Sequence, residues 1–182
     1  GCKELMNPRT QKPDHVAMIT SLVQDETRTA LIAQCAIAHM ASKVLVLSER
    51  RDHLDRIMQH IIEQNAEFAN DVGLYRGQMK PKDLKDSENK SIILGTYSIA
   101  SVGLDIKGLN TLIFATPRSD VVQASGRIQR DISPVFDKLI IDIYDKFSVF
   151  TGQYAKRLSF YRQSEFEIFG ATKRTREPDC IP

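Results

Sequence analysis

Five short, mainly apolar segments recur along the chain, and longer stretches with helical spacing of their apolar positions separate them. An uninterrupted apolar run is typical of a strand that is buried on both faces. The first segment, residues 43–47, has this character most clearly, and the other predicted strands are residues 71–75, 91–95, 111–115 and 138–143. Strands that alternate with helices predict right-handed βαβ units and a parallel sheet. The second run is the weakest, because Gly73 has no side chain to pack within it.

The stretches between the runs predict helices with one apolar side. Asp14 follows Pro13 and can cap a first helix. Further helices are expected at about 25–40, 48–65, 119–129 and 148–164, with a short polar helix or turn at 81–88. The expected core-facing residues are Val16, Ile19, Leu22, Val23, Leu31, Ile32, Cys35, Ile37, Leu54, Ile57, Met58, Ile61 and Ile62. The last helix adds an aromatic set whose spacing favours packing over base stacking: Phe150, Tyr154, Leu158 and Tyr161.

The length and composition of the chain limit how many domains it can form. A length of 182 residues suits one domain with a sizeable core. The 42% of hydrophobic and 26% of charged residues argue against a disordered chain. We expect a linker or lead-in over residues 1–13, one folded domain over residues 14–170 and a flexible tail over residues 171–182.

The net charge and the cysteines limit the binding partners and the cellular compartment that we expect for this chain. A net charge of +2 permits a nucleic-acid partner only through a local basic patch. Three widely separated cysteines favour a reducing, intracellular compartment. We expect no metal site, because the four histidines lack acidic or cysteine companions at ligand spacing. No apolar run approaches the ~20 residues that cross a bilayer, so no membrane partner is expected.

Polar and basic residues follow the predicted strands, where open parallel sheets bind their ligands. Ser48 and Arg50 follow the first run, and a capping hydroxyl, exposed amides and arginine suit a backbone phosphate. Arg76 follows the second run, beside a glycine that allows close approach. Taken alone, each pattern more often belongs to an ordinary helix cap or to a solvated arginine.

The third strand end is richer in small and hydroxyl residues. Thr96 and Ser98 supply hydroxyls, and the following turn supplies amides that suit a phosphate. Gly103 allows the backbone to pass near a ligand, and Asp105 can accept from a ribose hydroxyl or hold an arginine. A plain strand-turn-strand connection needs fewer such residues.

Two arginines lie on or next to the helix that is predicted to follow the fourth strand. The segment QASGRIQR places Arg127 and Arg130 three positions apart on a predicted helix. A pair of planar guanidinium groups on one element suits a phosphoryl group. An isolated Arg-x-x-Arg pattern more often belongs to a solvated helix face, but its place after a strand of a parallel sheet favours the phosphate interpretation.

These segments together resemble a known motor family. GTYSIASVGLDI followed by QASGRIQR resembles motifs V and VI of superfamily 2 helicases and translocases, KVLVLSERRDHLDRI resembles motif IV, and GLYRG resembles motif IVa. The resemblance covers residues 43–143 and implies an α/β fold, a RecA-like parallel sheet with helices on both faces, as the second RecA-like domain of a two-domain motor. Residues 142–168 are similar to phage and large-DNA-virus helicases, including the poxviral transcript-release type, which implies a viral source.

The resemblance also implies roles for individual residues. Arg127 and Arg130 would face the triphosphate, with Arg130 as the arginine finger. The residues that would line the same nucleotide cleft are Gln123, Gly103 and Asp105. The residues that would contact the backbone of the tracked DNA or RNA strand are Ser48, Arg50, Arg76 and Thr96.

The implied cofactors are ATP and Mg²⁺. The sequence contains no G-x-x-x-x-G-K-[ST] loop and no strand that ends in Asp-Glu, so we expect an N-terminal RecA-like domain of the same protein to hold them. The isolated chain is therefore expected to be inactive. The alternative is a non-catalytic nucleic-acid-binding or scaffold module with a helicase-like fold, although a scaffold has no use for both arginines. A different α/β nucleotide enzyme would need a glycine-rich loop after the first strand, where residues 48–51 have no glycine.

Overall fold

The computed structural model describes residues 2–101, 106–129 and 137–170 of the chain, without the side chains of residues 100, 101 and 127–129. In these ranges five strands form one sheet in the order β2-β3-β1-β4-β5. The strands are β1 (Lys43–Ser48), β2 (Val72–Tyr75), β3 (Ile92–Thr96), β4 (Leu109–Phe114) and β5 (Leu139–Asp142). Every pairing between neighbours is parallel, so the predicted parallel sheet is confirmed.

Helices connect the strands at the predicted places. The helices are α1 (His15–Gln24), α2 (Glu26–Ala38), α3 (Arg51–Gln64), α4 (Pro81–Glu88), α5 (Tyr97–Ser101), α6 (Val122–Gln129) and α7 (Ser148–Gln163). A 3₁₀ helix at Ala66–Asn70 and the short helix α5 were not predicted. The predicted cap of α1 is confirmed, since the Asp14 carboxylate accepts a hydrogen bond from the Ala17 amide at 3.0 Å.

Helices cover both faces of the sheet, as predicted. Alternate residues of a strand point to opposite faces. On one face, Val44 and Val46 of β1 pack with Ile57 of α3 and with α2. On the other face, Leu45 and Leu47 pack with residues of β4, α5, α6 and α7. These side chains are fully buried, and burial of each stabilises the fold by about 1.5–3 kcal/mol relative to exposure.

Gly73 lies inside β2 for a steric reason. A Cβ atom added there would lie 2.9 Å from the Cα atom of Ser87 in α4, which is closer than real Cβ contacts come. Because α4 packs this closely on β2, any side chain at this position would force α4 and β2 apart. The glycine that weakens the sequence signal for β2 therefore permits the packing that completes this edge of the sheet.

Two predictions of core-facing residues are wrong. Val16 is 63% exposed and Leu31 is 48% exposed. The buried stripe of α1 begins at Met18, which leaves Val16 at its edge in the first turn, and the buried stripe of α2 contains Ala33 and Ala36, which places Leu31 on the outer side.

The first residues pack against the domain. Met6 and Pro13 form an antiparallel bridge, and Leu5 packs against the cluster that α1 forms with Phe150 of α7. The predicted tail at 171–182 lies outside the described residues. Among the described helices, none is both long and apolar enough to cross a membrane.

Candidate functional site

The carboxyl ends of β1 and β3 bring two predicted contact residues side by side. Ser48 and Thr96 are partners in the parallel register of these strands. The Ser48 hydroxyl is fully buried, accepts a hydrogen bond from the Arg50 amide at 3.2 Å and lies 3.0 Å from Nδ1 of His53. In this arrangement Ser48 shapes the turn that presents Arg50. A direct contact of its hydroxyl with a phosphate would require the turn to open.

His53 supports this turn through its contact with the Ser48 hydroxyl. It was not predicted as a functional residue. Its Nε2 atom lies 3.4 Å from the Thr29 hydroxyl, which itself donates to the Asp25 carbonyl. That geometry requires the Nε2–H tautomer, with Nδ1 accepting from Ser48. Burial, together with the charges of Arg28 and Arg56, lowers the pKa of His53 to about 3. The imidazole therefore stays neutral under physiological conditions.

The basic side chains beside this turn lie at the surface. Arg50 precedes the first residue of α3 and is half-buried. Arg76, directly after β2, donates to both carboxylate oxygens of Asp55 at 2.8 and 2.9 Å. The Asp55 side chain is 51% exposed, and such a pair contributes only about 0–1 kcal/mol. Exchange of Asp55 for a nucleic-acid phosphate would therefore cost Arg76 little.

The end of β3 allows close approach of the backbone. A Cβ atom at Gly95 would lie 3.3 Å from the Tyr75 carbonyl oxygen, so a larger residue would push the two strands apart. Thr96 is 7% exposed, and its hydroxyl lies 3.0 Å from that of Ser98. Both hydroxyls lie where β3 turns into α5.

The β4–α6 loop, residues 115–121, is held by three long side chains from three different helices. Arg28 of α2 donates to the Ala115 carbonyl, Tyr97 of α5 donates to the Thr116 carbonyl at 2.7 Å, and Arg157 of α7 donates to the Arg118 carbonyl at 2.7 Å. We call these three donors, Arg28, Tyr97 and Arg157, the loop clamp. The clamp fixes the chain that leads from the sheet into α6.

Each arginine of the loop clamp is paired with a buried carboxylate from β5 or the segment after it. Arg28 binds both oxygens of Asp145 at 3.0 and 2.9 Å. Arg157 binds both oxygens of Asp142 at 2.7 and 2.9 Å. Burial acts to lower the pKa of Arg157, but the hydrogen bond and charge of Asp142 outweigh it and raise that pKa. Arg157 therefore stays charged while buried.

The loop clamp was not predicted, although the sequence contains signals for it. Asp142 interrupts an apolar strand, and Arg157 occupies a position between core-facing residues of α7. A charge in such a place requires a buried partner. Without the fold, the sequence does not identify which partner that is.

Helix α6 presents the predicted nucleotide-facing residue Gln123 at the surface. Val121, Ala124 and Ser125 are buried and anchor the helix on the sheet. Position 127 follows Gln123 by about one helical turn on the α6 backbone. The Arg127 side chain and the whole of Arg130, Gly103 and Asp105 lie outside the described residues, so their predicted roles stay predictions.

No metal centre was found among the described residues, where no three His, Cys, Asp or Glu side chains come together. The arrangement instead consists of basic side chains, hydroxyls and a clamped helix along the carboxyl edge of a parallel sheet. That edge suits ligands with phosphate groups.

Comparison with known proteins identifies the family. The family described as "Helicase conserved C-terminal domain" matches residues 17–131, which is more than half of the chain. The chain belongs to this family, as the resemblance to the second RecA-like domain of superfamily 2 helicases implied.

Individual relatives agree with the family. The chain is 35% identical over 167 residues to "Putative ATP-dependent RNA helicase L396" of Acanthamoeba polyphaga mimivirus, covering 90% of this chain and 32% of the relative. It is 26% identical over 187 residues to QP509L of African swine fever virus, which carries the same functional name, covering 92% of this chain and 37% of the relative. The chain thus spans about a third of the length of these curated relatives.

A solved structure shares the fold. The crystal structure of T4 UvsW superposes with a TM-score of 0.65 at 17% identity, covering 84% of this chain and 36% of UvsW. At this identity the match shows the fold alone, and it confirms the RecA-like α/β class.

Proposed function

We propose that this chain is the second RecA-like domain of an ATP-dependent helicase or translocase, and that it completes the ATP site of a preceding RecA-like domain. The family match over residues 17–131 is the observation that carries this proposal, because it includes the strand ends and α6 together. The named relatives are ATP-dependent helicases by name and about three times as long as this chain, which leaves room for a further motor domain.

Helix α6 is assigned the nucleotide side of the site. Arg127 and Arg130 balance the charge on the transferring phosphoryl group, with Arg130 as the finger, and Gln123 lies beside the nucleotide. Gly103 and Asp105 line the same cleft. An arginine in this role is worth on the order of 10³–10⁵ in rate. The exposure of Gln123, on a helix anchored through Val121 and Ala124, fits an element that faces another domain.

ATP with Mg²⁺ supplies the phosphoryl group that is transferred to water. The carboxyl edge of this sheet suits only part of the ATP–Mg²⁺ group. Cationic and small residues lie there, but the sequence contains no phosphate-binding loop with its lysine. The residues of this chain therefore orient and stabilise charge at the γ-phosphate, and binding of the remaining phosphates belongs to the preceding domain.

The residues that follow β1, β2 and β3 bind the tracked nucleic-acid strand in this proposal. Arg50, Arg76 and Thr96 contact backbone phosphates, and Ser48 with His53 shapes the turn that presents Arg50. Contacts of this kind are tolerant of sequence and sensitive to salt, as a motor that steps along any sequence requires. The names of the mimivirus and African swine fever virus relatives favour RNA as the tracked strand.

The test uses the complete protein with Arg130→Ala. We expect nucleic-acid-stimulated ATP hydrolysis to fall by about 10³-fold or more while ATP binding, measured by equilibrium titration, persists. Arg162→Ala is the matched control, because Arg162 is an exposed arginine at the end of α7, and its turnover should be that of the unchanged protein.

The opposite result is equally clear. Near-normal turnover by Arg130→Ala would refute the finger assignment. Salt-dependent RNA binding without any ATP turnover by the complete, unchanged protein would favour the non-catalytic binding module instead.

A further inference from the structure

Arg157 lies on α7, beyond the residues 17–131 that match the helicase family. Its side chain is 1% exposed, although arginine is rarely buried without a specific partner. The guanidinium donates from Nε and Nη2 to Asp142 and from Nη1 to the Arg118 carbonyl. All three of its nitrogens are thus engaged, two on β5 and one on the β4–α6 loop.

The Arg118 carbonyl lies in the loop that leads directly into α6. Arg118 precedes Val122, the first residue of α6, by four positions. The Arg118 guanidinium also lies over the Tyr97 ring, 5.0 Å from its centre, so both ends of this residue are held. Any displacement of this loop would pass directly into the orientation of α6.

Asp142 is itself fixed from two sides. It pairs with Phe114 in the register of β4 and β5, and it accepts a hydrogen bond from the Tyr161 hydroxyl at 2.9 Å. Arg157 therefore ties the loop to a rigid strand and not to a flexible surface group. These bonds hold the β4–α6 loop in position relative to β5. An arginine that only neutralised the charge of Asp142 would need no bond to the loop.

We propose that Arg157 is a positioning residue for ATP hydrolysis, which holds the β4–α6 loop and thereby sets α6 at the angle that delivers Arg127 and Arg130 to the nucleotide. This role rests on the proposed function. It assigns α7, outside the matched family domain, a part in the catalytic step. A misplacement of about 1 Å at a reacting group costs about 10²-fold in rate.

The test separates positioning from stability in the complete protein. Arg157→Met leaves Asp142 buried without its partner and is expected to destabilise the fold strongly. The double variant Arg157→Met/Asp142→Asn removes both charges and keeps an acceptor for the Tyr161 hydroxyl. Replacement of a buried ion pair by uncharged groups is often neutral for stability, so the double variant should fold. The Arg118 carbonyl still lacks its donor there.

We expect the double variant to bind RNA and ATP within about threefold of the unchanged protein while kcat for ATP falls by about 10²-fold. Arg162→Met, an exposed change on the same helix, should leave kcat unaltered. Recovery of kcat together with stability in the double variant would overturn the positioning role and leave Arg157 a structural residue only. The positioning role is equally overturned if Arg157→Met folds and hydrolyses ATP at the full rate.

Failure of this role is distinguishable from failure of the proposed function. If Arg130→Ala is inactive while the double variant is active, only the role of Arg157 is lost. If Arg130→Ala turns over normally, the arginine-finger assignment itself is wrong, whatever the double variant does.

Discussion

Replacement of His53 by glutamine should change how the stability of this chain depends on pH. His53 is fully buried between Ser48 and Thr29, and its folded-state pKa is lowered to about 3 by burial and by the charges of Arg28 and Arg56. In the unfolded chain an imidazole titrates near its ordinary value of 6.5. Acid therefore protonates His53 in the unfolded state first, which favours unfolding.

The size of the effect follows from these two pKa values. Stability contributed by neutral His53 is fully present above pH 6.5 and is lost as the pH falls towards 3. Between those limits the loss is about 1.4 kcal/mol per pH unit. From pH 7.5 to pH 5 it amounts to about 2 kcal/mol, a large fraction of the stability of a small domain.

Urea unfolding followed by circular dichroism at pH 7.5 and pH 5 measures this loss. The unchanged chain should lose about 2 kcal/mol more than His53→Gln over this interval, because glutamine does not titrate. His60→Gln is the matched control, since His60 lies on the same helix at the surface and leaves His53 intact. Equal losses for the unchanged chain and His53→Gln would refute the buried, neutral state of this imidazole.

Three further changes probe the contact surface, the sheet edge and a helix cap. Arg76→Gln should weaken RNA binding by the complete protein about equally across sequences and lower the salt slope of binding by about one. Gly73→Ala should destabilise the chain by about 1–3 kcal/mol in urea unfolding, because its Cβ would meet Ser87 of α4. Gly152→Ala is its control, with open space around the added Cβ inside α7, and should be neutral or stabilising by up to about 1 kcal/mol. Asp14→Ala should cost about 1 kcal/mol through loss of the α1 cap.

Each of these expectations has a contrary result. An unchanged salt slope for Arg76→Gln would remove that residue from the phosphate contacts. A Gly73→Ala chain as stable as the Gly152→Ala chain would mean that α4 moves away from β2 without cost. An unchanged midpoint for Asp14→Ala would show that the cap contributes nothing measurable.

The sheet could be predicted from the sequence because its strands are short apolar runs flanked by helical patterns. Such runs report burial on both faces, which is a local property of the residues themselves. The faces of α1 and α2 were predicted less well, since Val16 and Leu31 are apolar but exposed. Helical spacing identifies an apolar stripe, but the neighbouring element decides which of its edges is covered.

The loop clamp was beyond prediction for a different reason. Arg28 and Asp145 are 117 positions apart, and Arg157 lies 39 positions from the carbonyl of Arg118. Contacts over such separations form only once the strands are ordered, so residue type and spacing do not reveal them. The predicted contact residues Ser48 and Thr96, by contrast, are neighbours in the sheet simply because both end parallel strands.

The most direct test of the central claim is ATP turnover by residues 1–182 alone, compared with the complete protein in the presence of RNA. A domain that completes a site held elsewhere should show no turnover by itself, while the complete protein should hydrolyse ATP and do so faster when RNA is added. Steady ATP hydrolysis by the purified 182-residue chain would contradict the claim, because the chain would then hold the whole catalytic site.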